Sequence, residues 1–209
     1  MKTSLITSAI LLLTSALPSG APKCAINKDV IAAGHGTPTD EAAGFNLSLS
    51  SDKAEIGKPI IITVTNTGPQ TEFGGILMYA QGKDEKKHLG QFTKMDEENF
   101  RFQTEVCKDL GFAGDDKSTV THKNSNKKQL TTTFEWTPLP GDDAEGPFTF
   151  HAVIATNPVP WQVIEPIPFT FLTNNEAAAP QTLPAEPQML PTYNNENNAA
   201  TSPQQNNAG

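Results

Sequence analysis

QLTTTFEW, residues 129–136, places Leu130, Thr132, Phe134 and Trp136 on one parity and Gln129, Thr131, Thr133 and Glu135 on the other. Side chains of an extended chain point alternately to opposite faces, so this period of two predicts a half-buried β-strand. The pattern recurs upstream. Phe45, Leu47 and Leu49 alternate with Asn46, Ser48 and Ser50, and Ile60, Ile62 and Val64 alternate with Ile61, Thr63 and Thr65. FGGILMYAQ (73–81) and FTFHAVIAT (148–156) are apolar on both parities, which predicts central strands; IPFTFL (167–172) predicts a last one. NTGPQ (66–70), PLPGDDAEGP (138–147) and NPVP (157–160) supply turns between them. Helical periodicity is weak: MDEENFRFQTEV (95–106) is short and its Phe100 and Phe102 alternate, which predicts strand or irregular structure. Short strands, frequent turns and no βα alternation predict a β-sandwich with Trp136 in its core.

The two ends differ from this middle. Met1 and Lys2 precede an apolar run from Leu5 to Leu13 and then small residues, the three-part layout of a secretory signal peptide cleaved after Ala16. The run is too short to cross a bilayer, which takes about 20 residues, so no transmembrane segment is expected. From 174 to 209 the chain is mainly Asn, Ala, Pro and Gln with three Glu, and lacks Val, Ile, Phe and Trp. Such a segment buries too little apolar surface to offset its ordering entropy, which predicts a disordered tail. The expected organisation is a signal peptide over 1–16, one folded domain over 17–173 and a tail over 174–209.

Charge narrows the partners. The 209 residues carry 15 Lys and Arg against 23 Asp and Glu, a net charge of −8, with Arg101 the single arginine. All the basic residues lie at or before Lys128. Duplex binding depends on clustered bases that neutralise phosphates, so nucleic acid is not an expected partner. Cys24 and Cys107 are the two cysteines. In a secreted chain an even count reads as a disulfide; free thiols or an intermolecular bridge are the alternatives.

No catalytic or metal constellation stands out. His35, His88, His122 and His151 are far apart in sequence, whereas zinc ligands commonly come in close pairs. Adjacent carboxylates at 96–98, 115–116 and 142–143 occupy polar, turn-like surroundings, where nothing promises the burial that raises a carboxylate pKa. No cofactor is expected. Asn46-Leu47-Ser48 is the single N-x-S/T sequon, and the apolar parity of Phe45 and Leu47 turns Asn46 outward, which suits a glycan. TVTHKNSNKK (119–128) reads as the tip of a hairpin between partner strands. His122 shares Val120's side and is expected to hydrogen-bond the hairpin backbone; Lys123, Lys127 and Lys128 are expected to face water as a candidate site for an anionic surface.

Taken in order, Cys24, GHG (34–36), AEIGKPIIITV (54–64), FGGILMYAQ, GQF (90–92), Cys107, VTHKN (120–124), FEW (134–136), and FTFHAVIAT before Trp161 resemble the reeler, or reelin-type, domain. The likeness covers roughly 22–172. It implies an immunoglobulin-like β-sandwich of seven to nine antiparallel strands, secretion and no enzymatic activity. Small secreted insect defence proteins share this domain. The function it implies is non-enzymatic recognition in innate defence, through anionic microbial-surface glycans or lipids. The alternative is adhesion to extracellular matrix or cell wall, with the tail as a tether.

Overall fold

A computed structural model describes residues 19–36, 43–144, 146–156 and 159–172. The expected signal peptide and tail lie outside the described residues. A short helix, α1 (Lys28–His35), is followed by β1 (Phe45–Leu49), β2 (Lys53–Ala54), β3 (Ile60–Asn66), β4 (Glu72–Phe73), β5 (Gly75–Gln81), β6 (His88–Leu89), β7 (Gln91–Lys94) and β8 (Phe100–Phe102). The helix α2 (Thr104–Asp109) then precedes β9 (Thr119–His122), β10 (Lys128–Gln129), β11 (Thr133–Thr137), β12 (Phe148–Ala155), β13 (Trp161–Val163) and β14 (Ile167–Phe171).

These strands form an all-β, immunoglobulin-like sandwich. One sheet has the order β1-β3-β11-β7; the other runs β2-β14-β12-β5-β9-β8, with β13 beside β12 and β6 beside β5. The β2–β14 pair is parallel. The period-two pattern decides which side chains meet between the sheets. Phe45, Leu47, Ile62, Val64, Phe134 and Trp136 face inward from the first sheet, and Met78, Ala80, Phe150, Ala152 and Ile154 from the second. Trp136 is fully buried, edge-on to Phe150 at 4.9 Å between ring centroids. Its indole N–H donates to Leu89 O at 2.9 Å. Gly90 passes so close, at φ +62°, that an added Cβ would lie 2.4 Å from the indole. A glycine is therefore required there both by conformation and by space.

The double-sided burial of β5 has a specific cause. Ile76, Met78 and Ala80 belong to the core, while Leu77 and Tyr79, on the outer face, are also buried. The N-terminal segment crosses that outer face. Its Ile26 N–H donates to the Tyr79 hydroxyl at 3.3 Å, its Ala21 N–H donates to Thr121 Oγ1 at 3.1 Å, and its Ala21 carbonyl accepts from Gln103 Nε2.

Two sequence expectations need correction. Residues 95–106 contain not only β8 but the start of α2, whose six residues are too few to leave a legible helical period. Nor is 119–136 a hairpin. β9 pairs with β5 and β8 in one sheet, whereas β11 pairs with β3 and β7 in the other. Residues 123–127 thus belong to a crossing between sheets, because alternation assigns a strand its faces but not its partners.

Candidate functional site

The most concentrated chemistry of the described residues lies on the outer face of the larger sheet, where the N-terminal segment is fastened. Cross-strand register puts His151 of β12 beside Tyr79 of β5, and Tyr79 beside Thr119 of β9. The His88 ring lies flat on Tyr79, with centroids 4.0 Å apart and planes within 10°. His151 stacks on the same ring at 5.2 Å. His88 Nδ1 lies 2.6 Å from Thr119 Oγ1 and 3.7 Å from Cys24 Sγ.

Cys24 and Cys107 are joined in a disulfide with Cα atoms 4.9 Å apart. The α2 turn aims Cys107 at the N-terminal segment, so the bond ties residue 24 to the sheet's outer face. Ligand atoms of Cys24, His88 and Cys107 lie within 4.8 Å of one another, a spacing that three metal ligands could share. Both sulfurs are committed to the S–S bond, however, and a soft metal needs thiolates. The arrangement is an imidazole packed beside a disulfide.

Burial sets the electrostatics. Desolvation, reinforced by the neighbouring His151, pushes the His88 imidazole down to a pKa of about 3. Among the described residues none hydrogen-bonds Nε2 of the neutral ring. His151 is lowered by burial, and the Tyr79 hydroxyl is raised chiefly by burial. A group held neutral to pH 3 cannot work as a proton shuttle near neutrality, where a useful pKa lies close to the operating pH.

The second candidate is the crossing loop. Lys123 and Lys127 are exposed, and the Lys123 ammonium donates to Glu97 O at 3.1 Å. Lys128 corrects the sequence expectation: it is 3 % exposed and turned inward. Its ammonium donates to Gly74 O at 2.9 Å, Asn124 O at 2.8 Å, Asn124 Oδ1 at 3.2 Å and Asn126 O at 2.7 Å. The physical reason is the loop's own geometry. Turning back between sheets leaves several carbonyls converging on one point, and β10 presents Lys128 there by pairing with Phe73 of β4. Burial lowers this lysine to a pKa of about 8, partly opposed by Asp96. Three lysines close in sequence therefore divide into two outside and one structural.

The profile of the reeler domain matches residues 27–177. This chain belongs to the reeler family. Among solved structures, the Reelin-N domain of F-spondin is similar at 19 % identity and a TM-score of 0.50, covering 69 % of this chain and 96 % of that one. The human F-spondin reeler domain (fragment 1) is similar at 18 % identity and a TM-score of 0.50, covering 66 % and 95 %. At these identities the likeness speaks for the fold. No curated protein sequence matches the chain at a significant level.

Within this reeler domain the remaining sequence-predicted positions are dispersed. Asn46 is exposed on β1. His122 packs its ring against Gly75, where an added Cβ would meet it at 3.1 Å, and accepts from the Ile76 N–H at 3.3 Å. His35 is near Trp161, with ring centroids 6.5 Å apart, and the Trp161 indole donates to Gly36 O at 3.0 Å. Sequence reasoning missed the Tyr79–His88 stack altogether. Its one available signal was the odd parity of β5, apolar where a solvent-facing side should be polar.

Proposed function

We propose that this reeler-family chain is a secreted, non-enzymatic recognition protein that binds anionic glycans or lipids of microbial surfaces. The reading is carried by the structural work given to its buried ionisable groups. His88 packs on the disulfide, Lys128 gathers loop carbonyls, and Asp142 accepts the Gly90 and Leu139 N–H groups at 2.8 and 2.7 Å. All three are buried. Lys123 and Lys127 stand instead on an exposed loop at one end of a rigid sandwich, a common location for recognition residues.

Lysines near an anionic surface contribute about 1 kcal/mol each at low salt, and Glu97 and Glu98 across the loop reduce that here. Replacing both Lys123 and Lys127 with Ala should weaken binding of the full chain to anionic lipid vesicles and lipopolysaccharide roughly tenfold, and flatten its salt dependence. Unchanged affinity and salt slope would defeat the reading. Retention on matrix or wall polymers, indifferent to both lysines, would favour adhesion instead.

A further inference from the structure

We propose that Asn46 carries an N-linked oligosaccharide, and that this glycan guards the open edge of the smaller sheet together with the side chain of Gln162. β1 ends that sheet. Gly44 O accepts from the Thr67 N–H and the Ser50 N–H donates to Ile61 O, both at 2.9 Å, so even-numbered residues of this stretch bond towards β3. The peptide groups of Phe45, Leu47 and Leu49 consequently point out from the edge.

At Phe45 the protein closes the edge with a side chain. Gln162 of β13 donates its amide to Phe45 O at 3.0 Å and accepts the Phe45 N–H at 2.9 Å, as a neighbouring strand would. Among the described residues nothing does the same for Leu47 or Leu49. The strand FNLSL also lacks the lysine, proline or bulge with which natural edges discourage pairing. An unguarded edge can recruit a second chain by ladder hydrogen bonds.

The chain's single sequon lies on this strand, and Asn46 and Ser48 both project from its exposed side. In the modifying step Asn46 Nδ2 attacks the anomeric carbon of an oligosaccharide carried on a polyprenyl diphosphate. The C–N bond forms, the polyprenyl diphosphate leaves, and the amide nitrogen loses one proton. A branched glycan rooted one residue from Leu47 would hang over the unpaired groups and keep other strands away.

This inference shares the premise of export with the proposed function but not its ligand. The full chain would be secreted from a eukaryotic host and examined by intact mass, before and after amidase deglycosylation, and by analytical ultracentrifugation. Exported wild type should be heavier by a glycan, lose that mass with the amidase, and sediment as a monomer. Asn46→Gln should lack the glycan and self-associate. Ser48→Lys, which destroys the sequon while placing a charge on the edge, should lack the glycan and stay monomeric. Exported wild type of unmodified mass would overturn the modification. A monomeric Asn46→Gln protein, or a Ser48→Lys protein that associates equally, would overturn the guarding role. Failure of export would count against the secreted reading itself.

Discussion

Replacing His88 by phenylalanine should flatten the acid side of this domain's stability profile. Phenylalanine can keep the stack on Tyr79 while removing the imidazole that lies beside the disulfide. In the folded protein the imidazole has a pKa of about 3, against an ordinary value of 6.5 in the unfolded chain. The depressed folded value means that, between those limits, the unfolded state binds a proton that the folded state refuses. Stability from this group is therefore complete above pH 6.5 and is lost as pH falls towards 3. Each pH unit within the window is worth about 1.4 kcal/mol, so about 2 to 3 kcal/mol should disappear between pH 7 and 4.5 and about 4 kcal/mol by pH 3. Urea unfolding of wild type and His88→Phe, without reductant, at half-unit steps from pH 7.5 to 3.5 would measure it. Acidic groups elsewhere titrate in both proteins, and subtraction removes them. The wild type should lose about 2 to 3 kcal/mol more than the variant by pH 4.5. Parallel profiles would refute the claim that His88 is buried and neutral.

Two further outcomes follow from the same structure. Removing the disulfide as Cys24→Ala/Cys107→Ala should cost about 4.5 kcal/mol, because a bond across a separation of 83 residues restricts the unfolded chain; denaturant midpoints of the oxidised wild type and the cysteine-free variant would test it. Lys128→Met should cost about 2 kcal/mol at pH 7, since Gly74 O and the Asn124 and Asn126 oxygens lose a charged donor while the desolvation of the ammonium is relieved. Faster amide exchange confined to residues around the crossing loop would accompany that loss, and an unaltered melting temperature would contradict it.

Much of the fold was legible from local pattern. The alternation at 45–49 and 60–64 identified strands and their inward residues, and burial follows it: Phe45, Leu47, Ile62 and Val64 are all in the core. The strand expected over 129–136 is corrected: Phe134 and Trp136 are in the core, but β11 begins only at Thr133, because residues 130–132 turn, with Thr131 at φ 76°, between β10 and β11. The two cysteines had one intramolecular pairing open to them, and they form it. Lys128 was different. Its ammonium is satisfied by oxygens on residues 74, 124 and 126, and no spacing in the sequence announces that residue 74 lies beside the loop. The same holds for His88 and Tyr79, which meet because β6 folds back along β5.

For β1 and β3 the sequence alone determined which side chains turn to the core, since alternation is a property of the extended backbone and needs no partner. Tertiary structure alone decided which strands are neighbours. It moved β9 and β11 into different sheets, turned Lys128 inward, laid the N-terminal segment over Tyr79 and left β1 at an edge. Pairing is a non-local competition for backbone hydrogen bonds, settled by the packing of the whole sandwich, and parity carries no record of that outcome.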